Sequence, residues 1–386
     1  MSNTLKLGNG QWATGKDTVL SFSDTNNNYK PLPFSFSRDS SATVVNKDGL
    51  IETVGSGEPR IDFKDNTNGA LLLEPQRTNA IRYSSDFSQW ALKSNVTINS
   101  NVGLAPDGTL SADRIVFNGT TNARVEDTAQ GIDAFSYTND RPNSVWLKSE
   151  SGTTTVRIGS SSSYLLTVTV TEEWQRFTYI SKQGFARIKS DNATSVLAWG
   201  YQFETNGDVS LSYPTSYIPT SGQANGVTRV ADECFNQPPT GIISQTELTV
   251  FYQGIVERLG GNDGHAISLS QSLDASGSSR ILLYRNSGNG NMYIYVQDST
   301  TQFSTPLLVN SDPQVNDKYA IAIKDNDLAV YCNGVKVSEN NSGTIPSMQY
   351  VYFNKWNNQI NEQNKIKEVK LYNTRLSNSE LAALTS

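Results

Sequence analysis

Residues 167–179 read TVTVTEEWQRFTY, and polar and apolar side chains alternate on both sides of the acidic pair. The apolar members are β-branched or aromatic, and a period of two with such residues is typical of half-buried β-strands. The same pattern occurs at 291–296 (NMYIYV), 319–323 (YAIAI) and 328–331 (LAVY). The sequence therefore predicts an all-β protein.

Turn signals separate the predicted strands. Asp48-Gly49, Asp107-Gly108 and Asn333-Gly334 are dipeptides that readily adopt the positive φ angles of tight turns. Short strands at this spacing predict antiparallel β-sandwiches rather than a single barrel. One short helix is expected at the end of the chain, because SNSE at 377–380 forms a capping box ahead of LAAL.

Composition excludes several classes of protein. Charged residues make up 18% of the 386 residues and aromatics 10%, which favours folded domains over disorder. The net charge of −6 argues against a nucleic-acid surface. No window reaches the roughly 18 apolar residues of a spanning helix, and no signal-peptide core is visible at the N-terminus. We expect synthesis in a cytoplasm, no membrane insertion, and buried thiols at Cys234 and Cys332 instead of a disulfide.

The chain divides into three predicted regions and a linker. Residues 1–82 form an irregular N-terminal attachment region, and residues 83–235 form a first β-sandwich. Residues 236–243 form a linker, since NQPPTG at 236–241 is rich in Pro and Gly. Residues 244–386 form a second β-sandwich with the short C-terminal helix.

The second sandwich resembles a known family. Its opening strand is ELTVFY at 247–252, and its hairpin is LAVYCNGVKV at 328–337. The closing strand KIKEVKLYN at 365–373 is followed by the capped helix. Together these segments are similar to concanavalin A-like and laminin-G-like jelly rolls.

The first sandwich resembles jelly rolls of the carbohydrate-binding-module type. The resemblance rests on DRI at 113–115, SVWLK at 144–148, WQRF at 174–177 and AWGYQFE at 198–204. In that family, aromatic side chains on a concave face or at loop tips stack on sugar rings. The matched residues lie in core strands, so the resemblance assigns no sugar-contacting position in this chain.

Two segments flank the first sandwich, at 38–79 and 213–232. They include GALLLEPQRTN at 69–79 and YPTSYIPTSGQANGVTRVAD at 213–232. They resemble a segment of tailed-bacteriophage virion proteins, which precedes and follows a jelly roll in head or tail fibres, appendages and capsid decoration proteins. We interpret 71–73 as a buried strand and expect Glu74 and Arg77 to pair locally. The region at 217–219 is expected to bring the two flanks together.

The resemblances imply a structural virion protein, a head or tail fibre or appendage subunit. Its N-terminal region would anchor it to capsid or tail proteins, and its jelly rolls would adhere to host-surface, mucosal or environmental glycans. They also imply a homo-oligomer, a trimer or dimer, located in the virion. Two alternatives stay open: a cell-encoded carbohydrate-binding adhesin without catalytic activity, and a polysaccharide depolymerase.

Catalytic chemistry finds little support in the sequence. His265 is the sole histidine and is expected to be a turn residue in a Gly-rich loop. The Glu-x-Asp-x-x-Glu strand signature of laminarinase-like hydrolases is absent. We therefore predict no enzymatic activity and no cofactor, with calcium as an open question. Asp325 and Asp327 offer oxygen ligands for calcium, although Asp-Asn-Asp is also an ordinary hairpin turn.

Exposed aromatics are the candidate ligand contacts. Trp356 lies in NKWNNQ at 354–359, where its ring could stack on a sugar while Asn354 and Asn357 bond the sugar hydroxyls. Trp12 is a second candidate, with docking to another virion protein as its alternative. The remaining tryptophans are expected in the core: Trp90, Trp146, Trp174 and Trp199.

Overall fold

A computed structural model describes residues 4–8, 12–25, 28–128, 139–159, 165–206, 210–236, 241–257, 263–272, 278–307, 317–355 and 362–386. Its strands pair antiparallel throughout, and one short α-helix lies at the C-terminus. The predicted all-β sandwich class is confirmed. Within the described part of the chain, no helix is long and apolar enough to cross a membrane.

The first 79 residues contribute short strands. Their bounds are β1 (Thr4–Gly8), β2 (Ala13–Gly15), β3 (Thr18–Thr25), β4 (Asn28–Ser37), β5 (Ala42–Val45), β6 (Ile51–Val54), β7 (Arg60–Asp62), β8 (Ala70–Leu73) and β9 (Arg77–Asn79).

The middle of the chain opens with a 3-10 turn at Phe87–Gln89. The strands that follow are β10 (Leu92–Ser94), β11 (Val96–Leu104), β12 (Leu110–Asn118), β13 (Ala123–Thr128), β14 (Arg141–Lys148), β15 (Thr154–Gly159), β16 (Leu165–Val170), β17 (Gln175–Ser181), β18 (Phe185–Ser190), β19 (Ala193–Thr205) and β20 (Val227–Arg229).

The last part of the chain ends in the helix α1 (Asn378–Thr385). Its strands are β21 (Glu233–Asn236), β22 (Glu247–Glu257), β23 (Gly264–Ser270), β24 (Ser279–Arg285), β25 (Met292–Asp298), β26 (Thr300–Leu307), β27 (Lys318–Lys324), β28 (Asp327–Cys332), β29 (Val335–Asn340), β30 (Tyr350–Tyr352) and β31 (Gln363–Tyr372).

The middle sandwich packs two sheets around one core. One sheet has the order β10-β13-β18-β15-β16, and the other runs β11-β12-β19-β14-β17, with β9 and β20 continuing from β19. Trp90 is fully buried in this core beside Phe87 and Tyr201. The expectation that Trp90 is a core residue is confirmed.

The C-terminal sandwich is larger because strands from the N-terminal region join it. One layer has the order β29-β28-β27-β22-β31, and β31 also pairs with β1 and β8. The second layer runs from β26 through β25, β24, β23, β30 and β21 to β4, and β3 connects it back to β1. Their facing apolar side chains form a single core.

The N-terminal region is therefore more regular than its sequence suggests. Leu5 and Leu7 on β1 and Leu71 and Leu73 on β8 are buried in the core of the C-terminal sandwich. Their pairing partner is β31, which lies about 360 residues after β1 and about 290 residues after β8, and such distant pairing leaves no local signal in the sequence. Within the predicted linker, Ile242 and Ile243 are also buried in this core.

Several local expectations are confirmed. Asn333 and Gly334 have φ angles of 47° and 82° and connect β28 to β29 as a two-residue turn. The Ser377 side chain accepts a hydrogen bond from the Glu380 backbone N–H, and the Glu380 side chain bonds the Ser377 N–H in return. Cys234 and Cys332 are free, buried thiols.

Candidate functional site

The two flanks of the middle sandwich meet, as the resemblance implies, and the contact between them includes a buried ionic network that was not expected. Strand β9 of the first flank pairs with β20 of the second. Arg38 Nη1 lies 2.9 Å from Asp232 Oδ1, and both side chains are fully buried. Arg60 pairs with both Asp232 and Glu74, at 2.7 Å from the latter.

Glu74 is the second anionic centre of this network. Its carboxylate accepts a 2.7 Å contact from Arg229, and hydrogen bonds from the Ser216 backbone N–H and hydroxyl. Burial by itself would raise the pKa of Glu74, but the guanidinium groups of Arg229 and Arg60 outweigh it and hold that pKa well below its usual range. Glu74 is thus a permanent anion that joins the flanks.

The expected local pair between Glu74 and Arg77 does not form. Arg77 instead approaches Glu204 of the middle sandwich, at 3.5 Å, while its guanidinium lies over the Tyr213 ring. Glu74 and Arg77 lie on either side of the Pro75-Gln76 step between β8 and β9, and β9 joins the middle sandwich. Glu74 therefore contacts the two flanks, whereas Arg77 contacts the middle sandwich.

A cleft of about 570 Å³ opens at this junction. The hairpin β5–β6, the middle sandwich, the second flank and the C-terminal sandwich all contribute to its walls. The contributing residues include Thr43, Leu50, Asp62, Lys64, Trp146, Trp174, Arg176, Tyr213, Ser216, Glu257, Gln363 and Lys365. Its volume lies in the range of small-molecule and saccharide sites.

Aromatic side chains and one arginine form the wall contributed by the middle sandwich. Trp146 lies directly opposite Trp199 on β19 and opposite Arg176 on β17. The Arg176 guanidinium lies 4.4 Å from the centre of the Trp146 ring. Arg176 is fixed there by hydrogen bonds to the Thr215 carbonyl and the Ser144 hydroxyl, at 2.8 and 2.9 Å.

The position of Trp146 depends on a glycine. Gly200 has a φ of +64°, and a Cβ atom at that residue would lie 2.9 Å from Cε3 of Trp146. Tyr217 packs on both Trp146 and Trp199, and its ring would also meet that Cβ. The bulge at Gly200 therefore makes room for the aromatic cluster behind the cleft.

Tyr213 contributes a polar group without a partner. Its side chain is 8% exposed and lines the cleft, yet its hydroxyl has no hydrogen-bond partner among the described residues. A buried hydroxyl without a partner is unfavourable and is uncommon in folded proteins. Tyr213 lines the cleft, but its hydroxyl oxygen is shielded from solvent, so a ligand in the cleft does not reach that oxygen in this conformation.

The carboxylates that line the cleft are paired with cations. Lys365 Nζ lies 2.8 Å from Asp62 and 3.3 Å from Asp65. Glu257 lies 3.7 Å from Arg285, and Glu74 belongs to the buried network. A general acid needs a raised pKa, and Glu74 has a lowered one. This arrangement suits binding better than acid–base chemistry.

Of the three glycan candidates in the sequence, the structure describes only Asn354. Trp356 and Asn357 fall outside the described residues. Asn354 is fully buried, and its side-chain amide donates a 2.9 Å hydrogen bond to the Asp232 carbonyl. The Asn354 amide therefore lies beside the buried network at the domain junction and is not exposed at the protein surface. A polar context in the sequence suggested exposure, but the contact that buries Asn354 comes from residue 232.

The calcium candidates occupy a hairpin turn between β27 and β28. Asp325 Oδ1 accepts a 2.9 Å hydrogen bond from the Ile345 backbone N–H, and Asp327 pairs with Arg375 at 2.8 Å. Asn326 in the turn has a φ of 58°. Over the described part of the chain, no group of three or more acidic, His or Cys side chains is placed to hold a metal ion.

Four further residues differ from the positions expected from the sequence: His265, Trp12, Trp146 and Trp174. His265 is a buried residue of β23 and not a turn residue, and burial lowers its pKa to about 4. Trp12 is half-buried and packs against the core of the C-terminal sandwich. Trp199 is buried as expected, whereas Trp146 and Trp174 are half-buried and line the cleft.

No signal in the sequence marked Trp146 and Trp174 as cleft residues. Strand β14 is covered on both faces, by the core on one side and by the second flank on the other, so alternation does not separate its two faces. For Trp174, the preceding acidic pair Glu172-Glu173 indicated a strand start near the surface. That position is compatible with a half-buried ring at a cleft edge.

Comparison with known proteins gives no match in sequence: neither a protein-family model nor a curated protein matches the chain. Parts of the chain resemble solved structures. The CBM40 domain of the Ruminococcus gnavus IT-sialidase bound to α2,3-sialyllactose covers 37% of this chain and 84% of its own, at 12% identity and a TM-score of 0.32.

A second similar structure is domain 4 of AbnA, a GH43 extracellular arabinanase from Geobacillus stearothermophilus, in complex with arabinotriose. It covers 47% of this chain and 92% of its own, at 10% identity and a TM-score of 0.34. A heptameric SAP-like pentraxin from Limulus polyphemus covers 36% and 70%, at 14% identity and a TM-score of 0.28. These identities and TM-scores are too low to assign a function to the chain, and each of the three structures resembles less than half of it.

Proposed function

We propose that this chain is a non-enzymatic glycan-binding protein and that the cleft at the domain junction holds the glycan. The observation that carries the proposal is the pair of half-buried rings of Trp146 and Trp174, which line the cleft beside the Arg176 guanidinium.

The walls of the cleft combine apolar rings with polar groups, as a saccharide site requires. The half-buried rings of Trp146 and Trp174 offer apolar surface for the C–H faces of a saccharide. The Arg176 guanidinium, the Ser216 hydroxyl and the Gln363 amide surround them with polar groups. Since the acidic side chains at the cleft are held in ion pairs, binding is favoured over hydrolysis.

The test is a glycan array with the full chain, followed by calorimetric titration of the best oligosaccharide. Trp174→Ala removes a ring that lines the cleft, so we expect the affinity to fall about three- to tenfold, the effect of one stacked aromatic side chain. Tyr293→Ala is the matched control, because it removes a half-buried ring of the C-terminal sandwich that does not line the cleft. Unchanged affinity of Trp174→Ala, or an equal loss in the control, would refute this use of the cleft.

A finer form of the proposal concerns the biological setting. The flanks at 38–79 and 213–232 resemble segments of tailed-phage virion proteins, and we infer that the chain is a head or tail fibre or appendage subunit. It would then reside in the virion, bind other capsid or tail proteins, and form a homo-oligomer that gains avidity for glycans.

Mass spectrometry of purified phage particles, with light scattering of the isolated protein, tests this setting. We expect the chain in the particles and a trimer or dimer in solution. A strictly monomeric protein that is absent from particles would instead favour a cell-encoded adhesin. New reducing ends after incubation with capsular polysaccharides would favour a depolymerase.

A further inference from the structure

The outer face of the five-stranded sheet in the middle sandwich carries a row of cations. Lys189 on β18 lies directly opposite Arg124 on β13 and opposite Arg157 on β15. Their sequence neighbours Val125 and Ile188 are fully buried in the core. Because side chains alternate along a strand, the three cations share the face that points away from the core.

This row crosses the whole sheet. Ser94 on β10 lies opposite Arg124, and Thr167 on β16 lies opposite Arg157, so five strands contribute one polar residue each. With adjacent strands about 4.8 Å apart, the row spans about 19 Å. That length accommodates several rings of an extended polysaccharide.

The face has a surplus of positive charge. Glu126 forms ion pairs with both Arg124 and Arg187, at 3.5 and 2.7 Å. Asp191 serves both Arg157 and Lys189, the latter at 3.3 Å. Four cations therefore share two carboxylates, in a chain whose net charge is −6.

Such an arrangement works against folding. Like charges directly opposite on neighbouring strands destabilise a sheet. The same face carries the uncharged residues Thr167 and Thr169 on β16, so charge is not a requirement of the fold at this face. The cations are partly accessible, with 36% of the Arg157 side chain, 21% of the Arg124 side chain and 13% of the Lys189 side chain exposed. An anionic ligand laid along the row would relieve the repulsion.

We propose that this row, Arg124, Lys189 and Arg157, binds an acidic polysaccharide whose carboxylate or sulfate groups pair with the three cations. The seven-stranded sheet, not this one, contributes Trp146 and Arg176 to the cleft, so the two sites lie on opposite sheets of the sandwich. Failure of either proposal would leave the other standing. A polysaccharide fits better than nucleic acid, because duplex DNA carries one charge per about 1.7 Å and would be repelled by the acidic remainder of the chain.

Biolayer interferometry on immobilised hyaluronate and chondroitin sulfate tests the proposal, with neutral dextran and single-stranded oligo-dT as comparison probes. The triple variant Arg124→Gln, Lys189→Gln, Arg157→Gln is expected to lose about tenfold or more in affinity for the acidic polymers. Its matched control is Arg114→Gln, Lys324→Gln, Lys336→Gln, which removes three positive charges from other exposed sites. The control should change affinity less than about twofold.

Each outcome decides the matter. An equal loss in the control would show that net charge alone governs binding, and an unchanged triple variant would exclude the row. Tighter binding to oligo-dT than to either polysaccharide would overturn the ligand class. If the triple variant does not fold, Arg157→Gln replaces it, with an expected loss of about threefold because one charge-assisted pair is removed. Trp174→Ala, which tests the cleft, should leave binding to the acidic polymers unchanged.

Discussion

Arg38 and Asp232 are 194 positions apart in the chain, yet their side chains form a fully buried ion pair with a 2.9 Å distance from Nη1 to Oδ1. Arg38 precedes the middle sandwich and Asp232 follows it. The pair therefore joins the segments that enter and leave that domain. Arg60, also on the first flank, binds the same carboxylate.

Removing the carboxylate should strongly destabilise the protein. Asp232→Ala leaves Arg38 and Arg60 with buried charge that has lost its partner, and we expect a loss of about 3–5 kcal/mol in the free energy of unfolding. Urea denaturation measures it. Arg114→Ala is the control, since the Arg114–Glu150 pair is about one third exposed and should contribute under about 1 kcal/mol. Similar losses in both variants would contradict the assigned role of the network.

Stability should fall in acid because of Glu74. Its pKa lies well below the ordinary value of 4.5, since Arg229 and Arg60 outweigh the opposing effect of burial. The unfolded chain therefore takes up this proton first as the pH falls below 4.5, and the stabilisation is lost by about 1.4 kcal/mol per pH unit for this one group.

Denaturation at a series of pH values tests this expectation. Glu74→Gln should be less stable at neutral pH and should show a shallower decline below about pH 4.5, because the titrating group is gone. Glu150→Gln removes an exposed carboxylate and should keep the wild-type slope. A Glu74→Gln variant with the wild-type slope would argue that other groups govern acid unfolding.

Alanine substitutions at two glycines should distinguish the free-energy cost of backbone strain from that of steric crowding. Gly152 and Gly200 have φ angles of +60° and +64°, but a Cβ at Gly152 meets nothing within 4 Å. Gly152→Ala should cost only the strain of a left-handed alanine, about 1–2 kcal/mol. Gly200→Ala should cost more and should also weaken glycan binding, because its Cβ would displace Trp146. Equal costs in urea denaturation would mean that the aromatic cluster adjusts freely.

Tyr213→Phe should not destabilise the protein. The variant removes a buried hydroxyl that has no partner among the described residues, so the free energy of unfolding should stay the same or rise, by up to about 1–3 kcal/mol. Thermal unfolding measures this effect. A clear loss of stability would show that the hydroxyl already has a structural partner.

The β-sandwich class, the tight turn at Asn333-Gly334 and the capped terminal helix were all predictable. Each depends on a few neighbouring residues, whose alternation, φ preference or capping side chain acts locally. The contact between the flanks was expected from a resemblance, but its partners were not. Glu74 bonds Arg60, Arg229 and Ser216, and none of these lies within ten residues of it.

The cleft could not be predicted for the same reason. Trp146, Tyr213 and Lys365 come from three separate parts of the chain and meet only because the flanks bring the two sandwiches together. Periodicity shows which residues of a strand lie on the same face as Trp146. It does not show whether the second face of that strand meets solvent, a flank or a cleft.

The amino-acid sequence by itself determined the all-β class, the tight turn at Asn333-Gly334 and the capped C-terminal helix, because these features depend on a few neighbouring residues. Only the tertiary structure decided that N-terminal strands complete the C-terminal sandwich, that Arg38 meets Asp232, and that Asn354 is buried while Trp146 and Trp174 line a cleft. The physical reason is that burial and ion pairing depend on which distant segments are brought into contact, and that information exists only once the chain has folded.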